Sequence, residues 1–356
     1  MQHELYRANG LPVLQNRTFA TAEQAKASGS ADIVLVQDSQ SGLIFNQAFD
    51  ASQLSYDVDY QNEQAHSVQF QHHLNDVEAI LARHFKGREL IEVGCGKGYF
   101  LEMLRERGYA ITGIDPSYEG DNVDVIKAPF TRELGLAADA IVLRHVLEHI
   151  QDPVSFLADI ASANRGGQIY IEVPCFDWIV EHNAWFDVFY EHVNYFRLAD
   201  LRGLFDTVHE AGHLFGGQYL YIVADLSTLR RAPSAAPQLL ALSDNFTASL
   251  ERTVQIIQAA PQQGSAIWGA SSKGVIYSLF LQRAGVAVDH VVDINPAKQG
   301  RHLPLSGVQV SSPQEAMDAL PEGANLFVMN SNYLEEIKRM TGGRYVYHAV
   351  DSASFQ

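Results

Sequence analysis

From residue 89 onward, short apolar runs alternate with stretches of helical length, and this alternation constrains the fold most. The runs cover 89–93, 109–114, 123–126, 140–143 and 168–173. Helices fit 98–107 and 153–163, the second opened by Asp152-Pro153. Parallel strands linked by crossover helices bury such runs on both faces. The pattern predicts an α/β fold built on a doubly wound parallel sheet. Residues 219–224 read as a further strand, an antiparallel edge closing that sheet. At Ser265 a second alternation begins, with strands at 265–269, 290–294, 325–329 and 345–348. It predicts a second, C-terminal Rossmann-like α/β domain. A helix over 238–258 follows the Pro/Ala/Ser-rich connector 231–237.

The first sixty residues read as mostly irregular. A strand at 31–37 and the turn signal Gly42 suggest a small N-terminal β-rich lobe. A helix spans 67–85, with Phe70, Leu74, Val77, Ile80 and Leu81 on one face and Ser67 as N-cap. The expected division is a lobe over 1–66, a central domain over 67–230, and a linker helix with the C-terminal domain over 231–356.

Composition excludes several classes. The 356 residues carry a formal charge of -17, from 42 acidic against 25 basic groups, which disfavours nucleic-acid binding. The two cysteines, Cys95 and Cys175, form no disulfide framework. No apolar run approaches the ~18–20 residues that cross a bilayer. The start of the chain lacks the pattern of a signal peptide. The expectation is a cytoplasmic protein with no membrane and no nucleic-acid partner.

The first strand-to-helix turn reads Glu92-Val-Gly-Cys-Gly-Lys-Gly98. Gly94, Gly96 and Gly98 let backbone approach a ligand where a Cβ would clash. Ligands of open α/β sheets bind at such turns. Asp115 ends the next strand, where a carboxylate can accept both ribose hydroxyls of an adenosine. Glu92, and the lack of a third glycine at dinucleotide spacing, favour S-adenosyl-L-methionine over NAD. A class I methyltransferase Rossmann-like sheet follows as the expected fold class. The bland alternatives are a structural turn for the glycines and a turn acid for Asp115. His145, in Arg144-His-Val-Leu-Glu-His-Ile150, is placed in the donor pocket. A metal shared by His145 and His149 is set aside, because no third ligand is evident. Glu148 and His149 are alternatively helix caps.

The densest set of reactive side chains follows the fifth strand, in Trp185-Phe-Asp-Val-Phe-Tyr-Glu-His-Val-Asn-Tyr-Phe196. Imidazole titrates near neutrality, so His192 can serve as a general base. The adjacent Glu191 could orient it, and tyrosines such as Tyr190 could stabilise an enolate oxygen. The alternative is a buried aromatic plug with one hydrogen-bonded histidine. This chemistry does not separate carbon from oxygen methylation. An NAD-dependent oxidoreductase using Gly269–Gly274 is disfavoured by Ser271 at the third residue of that loop. The intact clusters argue against a non-catalytic binding protein.

Many segments in order resemble one family, the three-domain sugar C-methyltransferases that act on nucleotide-linked 4-keto-deoxysugars. They include Ser41-Gly-Leu-Ile-Phe-Asn46, residues 56–67, Arg144–His149, Glu172-Val-Pro174, Tyr190-Glu-His192 and Phe215-Gly-Gly-Gln-Tyr-Leu220. They continue through Trp268-Gly-Ala-Ser-Ser-Lys-Gly274, Val292-Asp-Ile-Asn-Pro296, Lys298-Gln-Gly300 and Val328-Met-Asn330. The resemblance implies that His192 is the base beside the ketone, flanked by Tyr190 and Glu191. It implies a contribution from Tyr60, with Tyr56 as the other candidate, and a C-terminal domain that shapes the acceptor cleft. The C-terminal loop could hold a phosphate, with Lys273 adding charge, or serve only packing or dimerisation. A homodimer is allowed but not required. Family members carry zinc on two C-x-x-C pairs in the leading lobe. Here Asp38-Ser-Gln-Ser41 replaces the second pair and no cysteine precedes Cys95, so no zinc is expected.

Overall fold

A computed structural model describes residues 2–55, 59–61, 63, 66–230 and 237–355. Its largest sheet has seven strands, in the order Val208–Leu214, Tyr219–Asp225, Gln168–Pro174, Ala140–Arg144, Glu89–Val93, Ala110–Ile114, Val125–Ile126. The last five in this order run parallel. Ala140 through Leu143 are fully buried, as a strand covered by helices on both faces requires. The strand order reverses between Glu89–Val93 and Ala140–Arg144. Both crossovers leave an open crevice there, at the carboxyl ends of the strands.

One expectation for this sheet needs correction. Tyr219–Asp225 is antiparallel but is not the edge, because Val208–Leu214 pairs outside it. That outer strand, Val-His-Glu-Ala-Gly-His-Leu, is polar and only half-buried, so it carries no apolar alternation. The helix Val68–Phe85 has Ser67 as its cap, accepting from the Phe70 amide, and Pro153–Ala163 is capped by Asp152.

The leading lobe is more regular than its sequence suggests. Gln2–Pro12 is an eleven-residue strand paired antiparallel with Ser30–Asp38. Its exposed Gln2, His3 and Glu4 hide it from any hydrophobic pattern. Ile44–Asn46 adds a third strand, and Asn194–Tyr195, from far along the chain, completes the sheet. The segment just after His192 is thereby fixed to the lobe.

The C-terminal sheet is parallel, ordered Val310–Ser311, His290–Val292, Ser265–Trp268, Asn325–Val328, Val346–Ala349. The helix before it starts later than expected, at Ala248–Ala259. The buried Gln37 amide bonds the Gln238 carbonyl and the Leu240 amide, which holds that stretch as a strap against the lobe. Most of the connector, 231–236, lies outside the described residues. Among the described residues no helix is long and apolar enough to cross a membrane.

Candidate active site

A cavity of about 410 Å³ opens at the crevice of the central sheet. Glu92, Gly94, Gly96, His145, His192 and Tyr60 line it, whereas Gly98, Asp115, Tyr190 and Glu191 do not. Tyr56 lies outside the described residues.

On the donor side, Gly94, Gly96 and Gly98 have φ of 75°, 55° and 82°, a region that favours glycine. A Cβ on Gly94 would stand 2.3 Å from Val146 Cγ2, whereas one on Gly96 would meet open space. The Gly96 amide donates to Asp115 Oδ2 at 2.8 Å, and the Ser117 amide to Oδ1 at 2.7 Å. Asp115 therefore stiffens the loop. Glu92 is buried with Oε2 lacking a protein partner. Burial pushes its carboxyl up to about 7, against the pull of Arg144 and with help from the Asp115 charge. An open glycine cradle beside an orphaned acceptor fits S-adenosyl-L-methionine.

Behind His145 lies a buried network centred on Glu172, which is wholly inaccessible. Its Oε1 stands 3.0 Å from His73 Nε2, 2.9 Å from His145 Nε2 and 3.1 Å from Arg144 Nη2. Tyr170 donates to Oε2 at 2.7 Å. Burial opposes ionisation of Glu172, but Arg144, His73 and His145 outweigh it and hold the carboxyl well below its usual range. His145 has φ of 52°, a strained conformation for a residue with a side chain. Burial alone would lower its pKa, yet Glu148 and Glu172 raise it to about 9.

On the acceptor side, the His192 ring packs on Phe189 at 4.0 Å and edge-on to His149 at 4.9 Å. Burial, His149 and His145 together hold its pKa well below the usual imidazole value, so it is neutral. Glu191 does not orient it. Its Oε2 accepts the Gln15 amide at 2.9 Å and its carboxylate also bonds Tyr60. Burial raises it to about 7 against those two bonds. The carboxylate near His192 is Glu148. Its ligand oxygen and the imidazole nitrogens of His149 and His192 lie within 4.8 Å of one another.

Two further expectations change. A third ligating group does exist for each histidine set aside as a metal ligand. His73 and Glu172 cluster with His145, and Glu148 and His192 with His149. Glu148 and His149 form a 3₁₀ turn and cap no helix; the following helix is capped by Asp152. The tyrosines are also committed elsewhere. Tyr190 accepts the Asp50 amide at 2.7 Å and donates to its carbonyl, and Tyr195 bonds both backbone groups of Phe189. His73 stands on the same helix face as Phe70, Leu74 and Val77, and that spacing is the one signal that could have marked it.

The C-terminal domain closes the far wall through Gly269, Ser271, Ser272, Lys273 and Asn330. Lys273 Nζ sits 3.1 Å from Asp187 and 4.6 Å from the Trp178 ring centroid. Lys298 is buried and donates to Ser271 Oγ at 2.6 Å and the Ala270 carbonyl at 3.2 Å. Asn16 of the leading lobe donates to Ser272 Oγ.

Strand order and the glycine turn at its reversal fit a class I S-adenosyl-L-methionine-dependent methyltransferase. Comparison with known proteins agrees. Residues 62–209 match a methyltransferase domain family, and residues 236–347 match the C-methyltransferase C-terminal domain. The C-methyltransferase NovU of Streptomyces niveus is 25% identical over 295 residues, covering 70% of this chain and 68% of that one. The ubiquinone biosynthesis O-methyltransferase of Caulobacter vibrioides is 31% identical over 100 residues, only 24% of this chain and 40% of its own. A SAM-dependent methyltransferase of Thermotoga maritima, a possible histamine N-methyltransferase, is 19% identical with a TM-score of 0.35, covering 45% of this chain and 90% of that one. The chain carries a methyltransferase domain followed by a C-methyltransferase C-terminal domain, and over most of its length it is similar to a C-methyltransferase.

Proposed function

We propose that the protein methylates carbon on a nucleotide-linked 4-keto-deoxysugar, with His192 removing the proton beside the ketone. The observation that carries this reading is a half-buried imidazole on the wall of a cavity that reaches both glycine turns, in surroundings that lower its pKa. A base must be unprotonated to accept a proton, and these surroundings favour the neutral ring. Glu92, Gly94 and Gly96 would hold S-adenosyl-L-methionine, with Asp115 bracing their loop, and the donor supplies an electrophilic methyl group when bound. Residues 271–273, at the start of the twelve-residue helix Ser272–Arg283, are the proposed seat for the acceptor's phosphates. Tyr60, bonded to Glu191, is read as a wall of the acceptor site. This reading keeps three units, 1–66, 67–230 and 231–356, and a cytoplasmic enzyme of deoxysugar biosynthesis.

Hydrogen exchange tests the base directly. In heavy water without donor, the enzyme should exchange the hydrogen next to the ketone of a nucleotide-linked 4-keto-sugar. His192→Ala should slow that exchange about 10²–10⁴-fold. Calorimetry should find S-adenosylhomocysteine bound as before. Exchange at the normal rate in the variant would make His192 a structural residue.

A further inference from the structure

Proton removal beside a ketone needs a second group, one that stabilises the negative charge arriving on the carbonyl oxygen. The tyrosines that the sequence offers for this task are engaged. Tyr190 is spent on Asp50 and Tyr195 on Phe189, while Tyr60 already bonds Glu191. The cavity wall holds a different candidate.

His145 lines the cavity with its side chain 27% exposed. Its Nε2 faces Glu172 at 2.9 Å, and its Nδ1 is 3.5 Å from Glu148 Oε1, too far for a good hydrogen bond. Neither ring nitrogen makes a well-formed hydrogen bond: Nε2 is buried without a hydrogen-bond partner despite its nearness to Glu172, and Nδ1 faces Glu148 at too great a distance. The two carboxylates lie on opposite sides of the ring and are almost wholly buried. Neither Glu148 oxygen has a hydrogen-bond partner in the protein. A strained left-handed backbone holds the ring there, anchored by the His145 amide donating to the Glu172 carbonyl at 2.9 Å. Such strain gathers at functional positions.

We infer that His145 is a catalytic imidazolium that donates its Nδ1–H to the ketone oxygen of the acceptor, rather than a contact for the methyl donor. The inference rests on the keto-sugar reading above. In the step it serves, the C–H bond beside the ketone breaks and its proton moves to His192. The electron pair forms a C=C bond, and the carbonyl π pair moves to oxygen, where the imidazolium meets it. No other reactant is consumed. The surroundings of the two rings support the assignment: two buried carboxylates beside His145 favour its cationic form, whereas burial and the neighbouring histidines favour the neutral form of His192. Environments that push two groups apart in this way mark acid and base partners. Glu148 stands between them and offsets the charge on His145.

The groups facing His145 are Glu172 and Arg144 from the strand ends, Glu148 from its own turn, His73 from the helix Val68–Phe85, and the Tyr219 ring at 4.6 Å. His149 and Glu148 face His192. Of these, Glu148 and Glu172 raise His145 above its ordinary value. Exchange should therefore fall as the pH rises through about 9, when the imidazolium loses its proton, apart from the separate acid limb on which His192 becomes protonated.

The test uses the full chain and uridine- and thymidine-diphosphate-linked 4-keto-6-deoxyhexoses in heavy water without donor. His145→Asn is the first variant, since asparagine tolerates the left-handed backbone. It should slow exchange about 10²-fold, with S-adenosylhomocysteine affinity within about twofold of wild type. Glu148→Gln is the second. It should move the alkaline limb of the exchange profile to lower pH, a shift that a purely structural role would not produce. Retained exchange with lost donor affinity in His145→Asn would overturn the inference and return His145 to the donor site. An alkaline limb unmoved in Glu148→Gln would overturn it too. Exchange abolished by a chelator and restored by a divalent cation would assign the task to a metal on Glu148, His149 and His192. If wild type exchanges none of the probes, the keto-sugar reading falls and this inference with it.

Discussion

The molecule makes the same strand-to-helix turn twice and finishes it in two ways. In each, an acid at the end of the neighbouring strand receives a loop amide and an amide two residues beyond itself. Asp115 takes Gly96 and Ser117; Asp293 takes Ala270 and Asn295. In the first turn, Gly96 faces open space and a buried carboxylate is left without a partner. In the second, Ala, Ser and Ser replace open backbone, and buried Lys298 fills the loop from behind, 3.7 Å from Asp293. The first turn is left unfinished for a ligand to complete. The second is internally satisfied at its base, where Lys298 and the loop amides take up Asp293, and its rim, Ser271 to Lys273, faces the cavity.

Paired substitutions should expose that difference. The largest effect belongs to the glycines. A Cβ on Gly274 would stand 1.7 Å from the Gly269 carbonyl oxygen, so Gly274→Ala should cost about 3 kcal/mol of stability, read by denaturant unfolding. Gly94→Ala should instead act on function, cutting donor affinity at least about tenfold in calorimetry through Val146 and its positive φ. Equal loss of stability in both would erase the distinction. The smaller effect belongs to the acids. Asp293→Asn uncovers a buried lysine and should destabilise the protein by about 3 kcal/mol while leaving donor affinity intact. Asp115→Asn should weaken donor binding by about 1–3 kcal/mol and leave the melting temperature nearly unchanged.

What was legible in the sequence follows from where side chains face. The central strands are buried on both faces, so their apolar runs are continuous and their positions read directly. Gln2–Pro12 and Val208–Leu214 lie at sheet edges with exposed polar residues, and nothing in their spacing announces them. Gly94, Gly96, His145 and His192 all line the cavity, as residues near strand ends can, whereas Asp115 and Gly98 do not. The pairing of Glu191 with His192 could not be read, because proximity in sequence is not proximity of side chains. Glu191 points to Gln15 and Tyr60, and the carboxylate beside His192 comes from a turn more than forty residues earlier.

The central claim is that a methyl group is transferred to carbon. Incubating the enzyme with ¹³C-methyl-labelled donor and nucleotide-linked 4-keto-sugars, then locating the label by NMR, tests it most directly. The account predicts a methyl carbon bonded to the ring carbon beside the ketone, with the exchangeable hydrogen at that position lost. A label found on a hydroxyl oxygen would contradict it.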